Sequence, residues 1–317
     1  MQVEFPEWMA DEAAYRAATR VEARCRHDES PAWQDMAATD RVLHAGGWMA
    51  EHRLATVDGK PIGHASFRHL PTAVDRDVVI VRISVLPDCR RFGVGRSLHR
   101  LIEDAADVHG GRRLLAFVRG GEPSGVGFAH ALGYREIGRS IELDVDPRRV
   151  VSSTGSNVPG IAVVCLAELR TARADWLERL YRLFIAVEAD TPFPIAEVPT
   201  PRDVFRARSV DAATAMPEAF LVAIDGDEWV GFTEVRRVTG KPTRWSQELT
   251  GVLRSHRGRG IARALKEASL RNARASGIAT IRTWNDSTNT AIREINNQLG
   301  FTQHQTIHQM LKTLADA

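Results

Sequence analysis

The chain repeats itself. The turn pair Asp58-Gly59 returns 167 positions later as Asp225-Gly226 (225 − 58 = 167), and the block RRFGVGRSL from Arg90 returns at the same displacement as RGRGIARAL from Arg257. Gly110 returns as Gly277, and Leu132-Gly133-Tyr134 returns as Leu299-Gly300-Phe301. One glycine-rich loop can match another by chance, but four unlike signals at one displacement mean a duplicated domain. The 317 residues agree, since a typical domain has about 100 to 200. The seam is expected in DPRRVVSSTGSNVPG, residues 146–160, where Pro, Gly, Ser and Asn cluster and no apolar period survives. The expected domains are residues 1–150 and 158–317.

Period and punctuation give the coarse structure of each half. WMAEHRLATV, DGKPIG and HASFRHL read as a β-hairpin, matched later by AFLVAI, DGDE and WVGFTEVRRV. VVIVRISVL reads as a strand with β-branched runs, matched by WSQELTGVL. The Arg/Gly-rich loop follows each of them. Val94, Leu98, Leu101, Ile102, Ala105 and Val108 then fall on one helical face, with Gly110 and Gly277 as the stops. LLAFV and ATIRTW are the next strands, a short helix follows each, and IELDV and the stretch around Ile307 to Leu311 are the last strands. The expected class is α/β (α+β), a mixed sheet with helices.

A loop that enters a helix exposes that helix's first unpaired N–H groups, and glycines let the backbone approach a ligand. Arg90-Arg91-Phe92-Gly93-Val94-Gly95 and Arg257-Gly258-Arg259-Gly260-Ile261-Ala262 are therefore anion cradles fit for a diphosphate, with arginines as charged donors. The helix dipole contributes only about 0.3 to 1 kcal/mol per charge, so N–H groups and arginines must act together. Neither loop is a G-x-x-x-x-G-K-[ST] motif, and Leu98 stands where G-x-G-x-x-G needs its third glycine.

The remaining pattern, R-x-x-G-x-[GA] between a strand and a helix, resembles that of the GNAT superfamily of acyl-CoA-dependent N-acyltransferases. The resemblance runs from about Trp48 to Val145 and from Ala219 to Leu311, and takes in the Leu-Gly-aromatic signature. It implies two tandem GNAT-like domains, each a mixed, mostly antiparallel central sheet flanked by helices. It also implies acetyl-CoA or another acyl-CoA as co-substrate, with its pyrophosphate on the two loops. Val85 and Val252, near the strand ends, would offer backbone hydrogen bonds to the pantetheine arm, and Asn289 matches an Asn that contacts the cofactor in the family. The first half has Glu122 there, and a carboxylate cannot donate.

Catalysis departs from the family pattern. Ala129 and Asn296 stand where many members place a tyrosine that protonates the leaving thiolate. Asn296 could orient a water instead, with Ser287 near in sequence. An ammonium of pKa about 10.4 costs roughly 4.6 kcal/mol to deprotonate at pH 7, so a base is needed. Glu248, on the strand before the second loop, is the preferred base; its offset counterpart is Val81, which favours the second half as the active one. His256 is more simply a loop histidine, and Cys89 has no paired His. The acidic stretch Glu188 to Pro194 lies where the family's acceptor-side elements fall.

Composition limits the partners. With 42 Lys+Arg against 40 Asp+Glu, the net charge of +2 suits neither a nucleic-acid nor a polybasic membrane binder. Three scattered cysteines without C-x-x-C spacing imply no metal and no disulfide framework. The acidic N-terminal stretch and the lack of a run of about 18 apolar residues point to a cytoplasmic protein. The expected activity is acetyl transfer to a small-molecule primary amine, the alternative being a non-catalytic acyl-CoA-binding sensor or scaffold.

Overall fold

The computed structural model describes residues 2–25, 32–121, 123–150 and 157–314. Part of the expected seam, residues 151–156, and Glu122 therefore lie outside the described residues. Along the chain run α1 (Glu12–Cys25), α2 (Trp33–Ala45), β1 (Ala50–Val57), β2 (Lys60–His69), β3 (Val78–Val85), α3 (Val94–Val108), β4 (Arg113–Arg119), α4 (Pro123–Ala131) and β5 (Arg135–Val145). A similar series follows, preceded by a strand and with a further short helix: β6 (Ile161–Cys165), α5 (Leu166–Ala172), α6 (Trp176–Glu188), α7 (Arg202–Phe205), β7 (Leu221–Asp225), β8 (Glu228–Val238) and β9 (Lys241–Val252). It ends with α8 (Ile261–Ala275), β10 (Thr280–Asp286), α9 (Thr290–Gln298) and β11 (Thr302–Thr313).

Two compact units result. One comprises residues 1–139, 194–208 and 307–317, the other 140–193 and 209–306. In the first, β1, β2 and β3 pair antiparallel, β4 joins β3 in parallel, and Ile307 to Thr313 of β11 pair antiparallel with β4. In the second, β6 to β9 form an antiparallel run, β10 joins β9 in parallel, and Ser140 to Val145 of β5 pair antiparallel with β10. The fold class is as expected. Each unit takes its last strand from the other half of the sequence, which a reading by halves does not anticipate: both last strands carry the same sort of alternation, so pattern alone cannot say which edge each one joins.

The punctuation is explained by backbone geometry. Gly110 and Gly277 close α3 and α8 at φ of +78° and +69°, with Gly111 N–H returning to the Ala106 carbonyl and Ile278 N–H to that of Ala273. Gly133 and Gly300 do the same for α4 and α9, and the aromatic residue after each is buried. The Leu-Gly-aromatic signature is thus a helix stop followed by a core anchor. The hairpins agree less neatly. The two turn residues are Asp58-Gly59 in one copy but Gly226-Asp227 in the other, so the structural offset there is one residue longer than the sequence match suggests.

Val94, Leu98, Ile102 and Ala106 form the buried stripe of α3, whereas Val108, expected on that face, is 80% exposed. It sits in the last turn, off the i, i+4 line that the other four follow. The stripe packs on Val79, Val81 and Phe67 in the first unit, and Leu265 of α8 packs likewise on Val230 and Val252 in the second.

Candidate active site

Each loop reaches its helix through a left-handed residue. Gly93 and Gly260 are the N-caps of α3 and α8, at φ of +83° and +82°. Gly258 lies at φ +76°, and its counterpart Arg91 takes φ +69° without being glycine. The first backbone bonds of the two helices run from Ser97 N–H to Gly93 and from Ala264 N–H to Gly260, both at 3.0 Å. The N–H groups of Val94, Gly95 and Arg96, and of Ile261, Ala262 and Arg263, therefore have no acceptor within their helices. A Cβ added at Gly258 or Gly93 would meet open space, while Gly95 lies against the ring of Phe128 and Phe92 is 67% exposed.

A slot leads to each loop. The parallel pairing of β9 with β10 ends at Gln247 and Thr283, although both strands continue. That of β3 with β4 ends at Ile80 and Leu115. Beyond those points lie Val252 and Val85. Because Leu253 N–H bonds to the Val230 carbonyl and Leu86 N–H to that of Ile62, alternation turns the N–H and C=O of Val252 and Val85 away from the antiparallel neighbour, toward the diverged side. Their carbonyls accept from Arg257 Nε at 3.1 Å and from Arg90 Nε at 3.0 Å.

The two copies differ in one respect that decides where Glu248 points. Thr233 opposes Thr250 and Val235 opposes Gln247, so Glu234 alone faces both Glu248 and Leu249, a β-bulge. Strand β3 has no such shift. Gln247, Thr250 and Val252 look toward α8, and a Cβ on Gly251 would collide with Val187 of α6. Glu248 and Leu249 thus both turn to the α6 face. The register corrects the offset match as well: Val81 opposes Phe67 and packs in the helix-facing core, so its equivalent in the second unit is Gln247, not Glu248.

That α6 face is strongly charged. Glu234 pairs with Arg236 at 2.6 Å, and the buried Arg282 is held by Glu142 at 3.2 Å and Asp144 at 2.7 Å. Glu248 and Arg244 belong to this face as well, and His304 lies 3.9 Å from Glu142 and 3.8 Å from Asp144. Sequence reasoning missed Arg282 and its acids, because alternating charge on a strand reads as solvated surface.

The other expected residues are placed as follows. Asn296 is fully buried; its Nδ2 donates to Asn285 Oδ1 at 2.6 Å, and its Oδ1 has no protein partner among the described residues. Asn289 caps α9, its Oδ1 accepting from Ile292 N–H at 3.4 Å. His256 is tied to Ser255 at 2.8 Å, and Arg259 to Asp225 at 2.8 Å. Asp190, in the acidic stretch, is occupied by the loop itself, accepting from Arg254 Nε at 2.7 Å and from Arg257 at 2.5 Å. The Arg254 guanidinium holds its carboxyl below the usual range. Among the described residues no cluster of His, Cys, Asp and Glu could hold a metal, and no helix is long and apolar enough to cross a membrane.

Known proteins resemble this chain in sequence and in fold. The model of the acetyltransferase (GNAT) family matches residues 10–134 and again 177–301, the same displacement of 167. Mycothiol acetyltransferases from Geodermatophilus obscurus and Salinispora arenicola are 26% and 29% identical, over 83% and 75% of this chain and 83% and 74% of their own. Among solved structures, a tandem GNAT protein from the clavulanic acid biosynthesis pathway superposes with TM-score 0.77 at 19% identity over the whole of both chains. A GCN5-related N-acetyltransferase from Sphaerobacter thermophilus gives 0.71 at 17%, covering 98% of this chain and 95% of its own.

Proposed function

The chain belongs to the GNAT acetyltransferase family, and from that premise we propose that its second unit transfers acetyl from acetyl-CoA to the primary amine of a small molecule. The observation that carries this reading is one of alignment: the divergence of β9 from β10 begins beside Glu248 and leads to the unpaired N–H groups of Ile261, Ala262 and Arg263. A thioester arm lying in that slot would bring its carbonyl past Glu248 while its diphosphate meets the loop.

In this mechanism Glu248, or a water it holds, removes a proton from the acceptor ammonium, and the neutral nitrogen attacks the thioester carbonyl. A β9 strand amide near Val252 polarises the carbonyl oxygen. The C–S bond breaks, and the CoA thiolate leaves. Asn296 carries no acidic proton, so it serves at most to orient a water that protonates the thiolate. The Glu248 carboxylate on the α6 face favours a cationic acceptor. The first unit, with Val81 in its core, is a degenerate or second cofactor-binding copy.

Calorimetric titration with acetyl-CoA, coupled to CoA thiol release over a panel of small amines, tests the reading. Binding with release for at least one amine supports it. Binding with no release over the whole panel would assign the chain as an acyl-CoA-binding scaffold, and no binding would remove both.

A further inference from the structure

A lysine lies in the core of the second unit. Lys266 of α8 is 1% exposed, its Nζ sits 5.2 Å from the centroid of the Phe301 ring, and it donates to Gln247 Oε1 at 2.5 Å. Gln247 passes the connection on, its Nε2 donating to Thr233 Oγ1 at 3.0 Å, and the Thr233 and Thr250 hydroxyls share a bond of 2.7 Å. The chain of bonds runs from the helix to both flanks of the bulge. Gln247 immediately precedes Glu248, and Thr250 immediately follows Leu249.

The first unit supplies the comparison. At the matching position of α3 stands His99, which meets Tyr134 Oη at 3.1 Å and Glu103 at 2.9 Å rather than a residue of β3. There β3 keeps a regular register, and Val81, four residues before Val85, faces the core. Counting back the same four residues from Val252 reaches Glu248. Without the extra residue of the bulge, alternation would point Glu248 at α8 rather than at α6.

We propose that Lys266 is a positioning residue: by engaging the Gln247 amide from beneath, it fixes the β9 bulge that turns Glu248 out of the core and toward the acceptor face. Only a long side chain ending in a donor can cross from helix to strand here. An apolar residue in its place would leave Gln247 Oε1 buried without a partner. In the shifted register Gln247 would leave the helix-facing core, so its bond to Lys266 is available only when the bulge is present. The functional consequence rests on the reading of Glu248 as the base, but the effect on the strand does not.

The test uses the full chain with Lys266→Met and the double variant Lys266→Met/Gln247→Leu, which removes the orphaned amide along with the lysine. Hydrogen exchange of the β9 segment 248–252 reports the bulge directly. Steady-state kinetics with acetyl-CoA and an accepted amine report its consequence. The expected results are faster exchange confined to that segment and a fall in kcat of about tenfold or more, the worth of one lost hydrogen bond, with little change in the amine KM. If Lys266→Met does not fold, the double variant decides by the same readouts. Exchange and kcat equal to the parent in a folded variant would overturn the proposal. If the parent itself transfers no acetyl group, the proposed reaction fails while the exchange result still decides the role of Lys266.

Discussion

Arg257 Nε donates to the carbonyl of Val252 at 3.1 Å, fastening the end of the slot strand to the start of the helix-capping loop. The first unit repeats the bond between Arg90 and Val85 at 3.0 Å. An interaction preserved in both copies belongs to the scaffold of the loop as much as to its ligand.

Arg257→Met removes this fastening and a cation beside the expected diphosphate. A hydrogen bond with a charged partner contributes about 1.5 to 3 kcal/mol, so acetyl-CoA affinity at the second unit should fall by roughly 10- to 100-fold. Calorimetry measures it, and an unchanged affinity would remove Arg257 from the site.

Gly258 and Arg91 make a matched pair of left-handed residues. A non-glycine there costs about 1 to 2 kcal/mol, less the flexibility that glycine surrenders on folding. Gly258→Ala, with open space around its Cβ, should lower the Tm of its unit by about 2 to 4 °C, and Arg91→Gly should raise that of the other. Gly260→Glu does more, placing a carboxylate where the diphosphate belongs, and should abolish binding there.

The duplication, the fold class and both loops were legible in the sequence because each rests on local chemistry: glycines at positive φ, helix stops and a shared displacement. The bulge at Glu248 was not. A single extra residue leaves the strand's composition unchanged and shows only in which partner each residue faces. The exchange of β5 and β11 between units was hidden for a similar reason, since a strand's alternation does not name its edge. Lys266 did leave a trace, being a charge inside the apolar stripe of α8, where Leu265 and Leu270 are buried. In the acidic stretch Glu188 to Pro194, placed on the acceptor side by the resemblance, Asp190 accepts from Arg254 and Arg257 instead.

Glu248→Gln removes the proposed proton acceptor and little volume. Turnover should drop most near neutral pH, where the amine is almost wholly protonated, and recover toward the pKa of the amine. A pH–rate profile measures this; an equal loss at every pH would assign Glu248 a role other than base.

Burial pushes the Lys266 ammonium down to about 7. The unfolded chain holds that proton up to about 10.4, so between these values unfolding takes up a proton and stability rises with pH, by at most about 1.4 kcal/mol per unit. Below about 7 both states are protonated and the slope vanishes. Denaturant unfolding at pH 7 and 9 should show the rise for the parent and not for Lys266→Met.

In the first unit, Glu22 accepts from His64 at 3.0 Å and from Arg82 at 3.2 Å, while His52 joins His64 to Asp40, all but Arg82 buried. Glu22→Ala would leave the buried His64 Nδ1 without its partner, at a cost of about 1 to 3 kcal/mol. Thermal unfolding should register the loss.

Coenzyme A is expected to lie along β9 with its diphosphate on the turn after Arg257. A crystal structure with acetyl-CoA bound measures this directly. The predicted result is phosphate oxygens within hydrogen-bond distance of the N–H groups from Gly258 to Arg263, and the thioester carbonyl near Val252. A nucleotide seated elsewhere, with that turn unoccupied at saturating ligand, would contradict it.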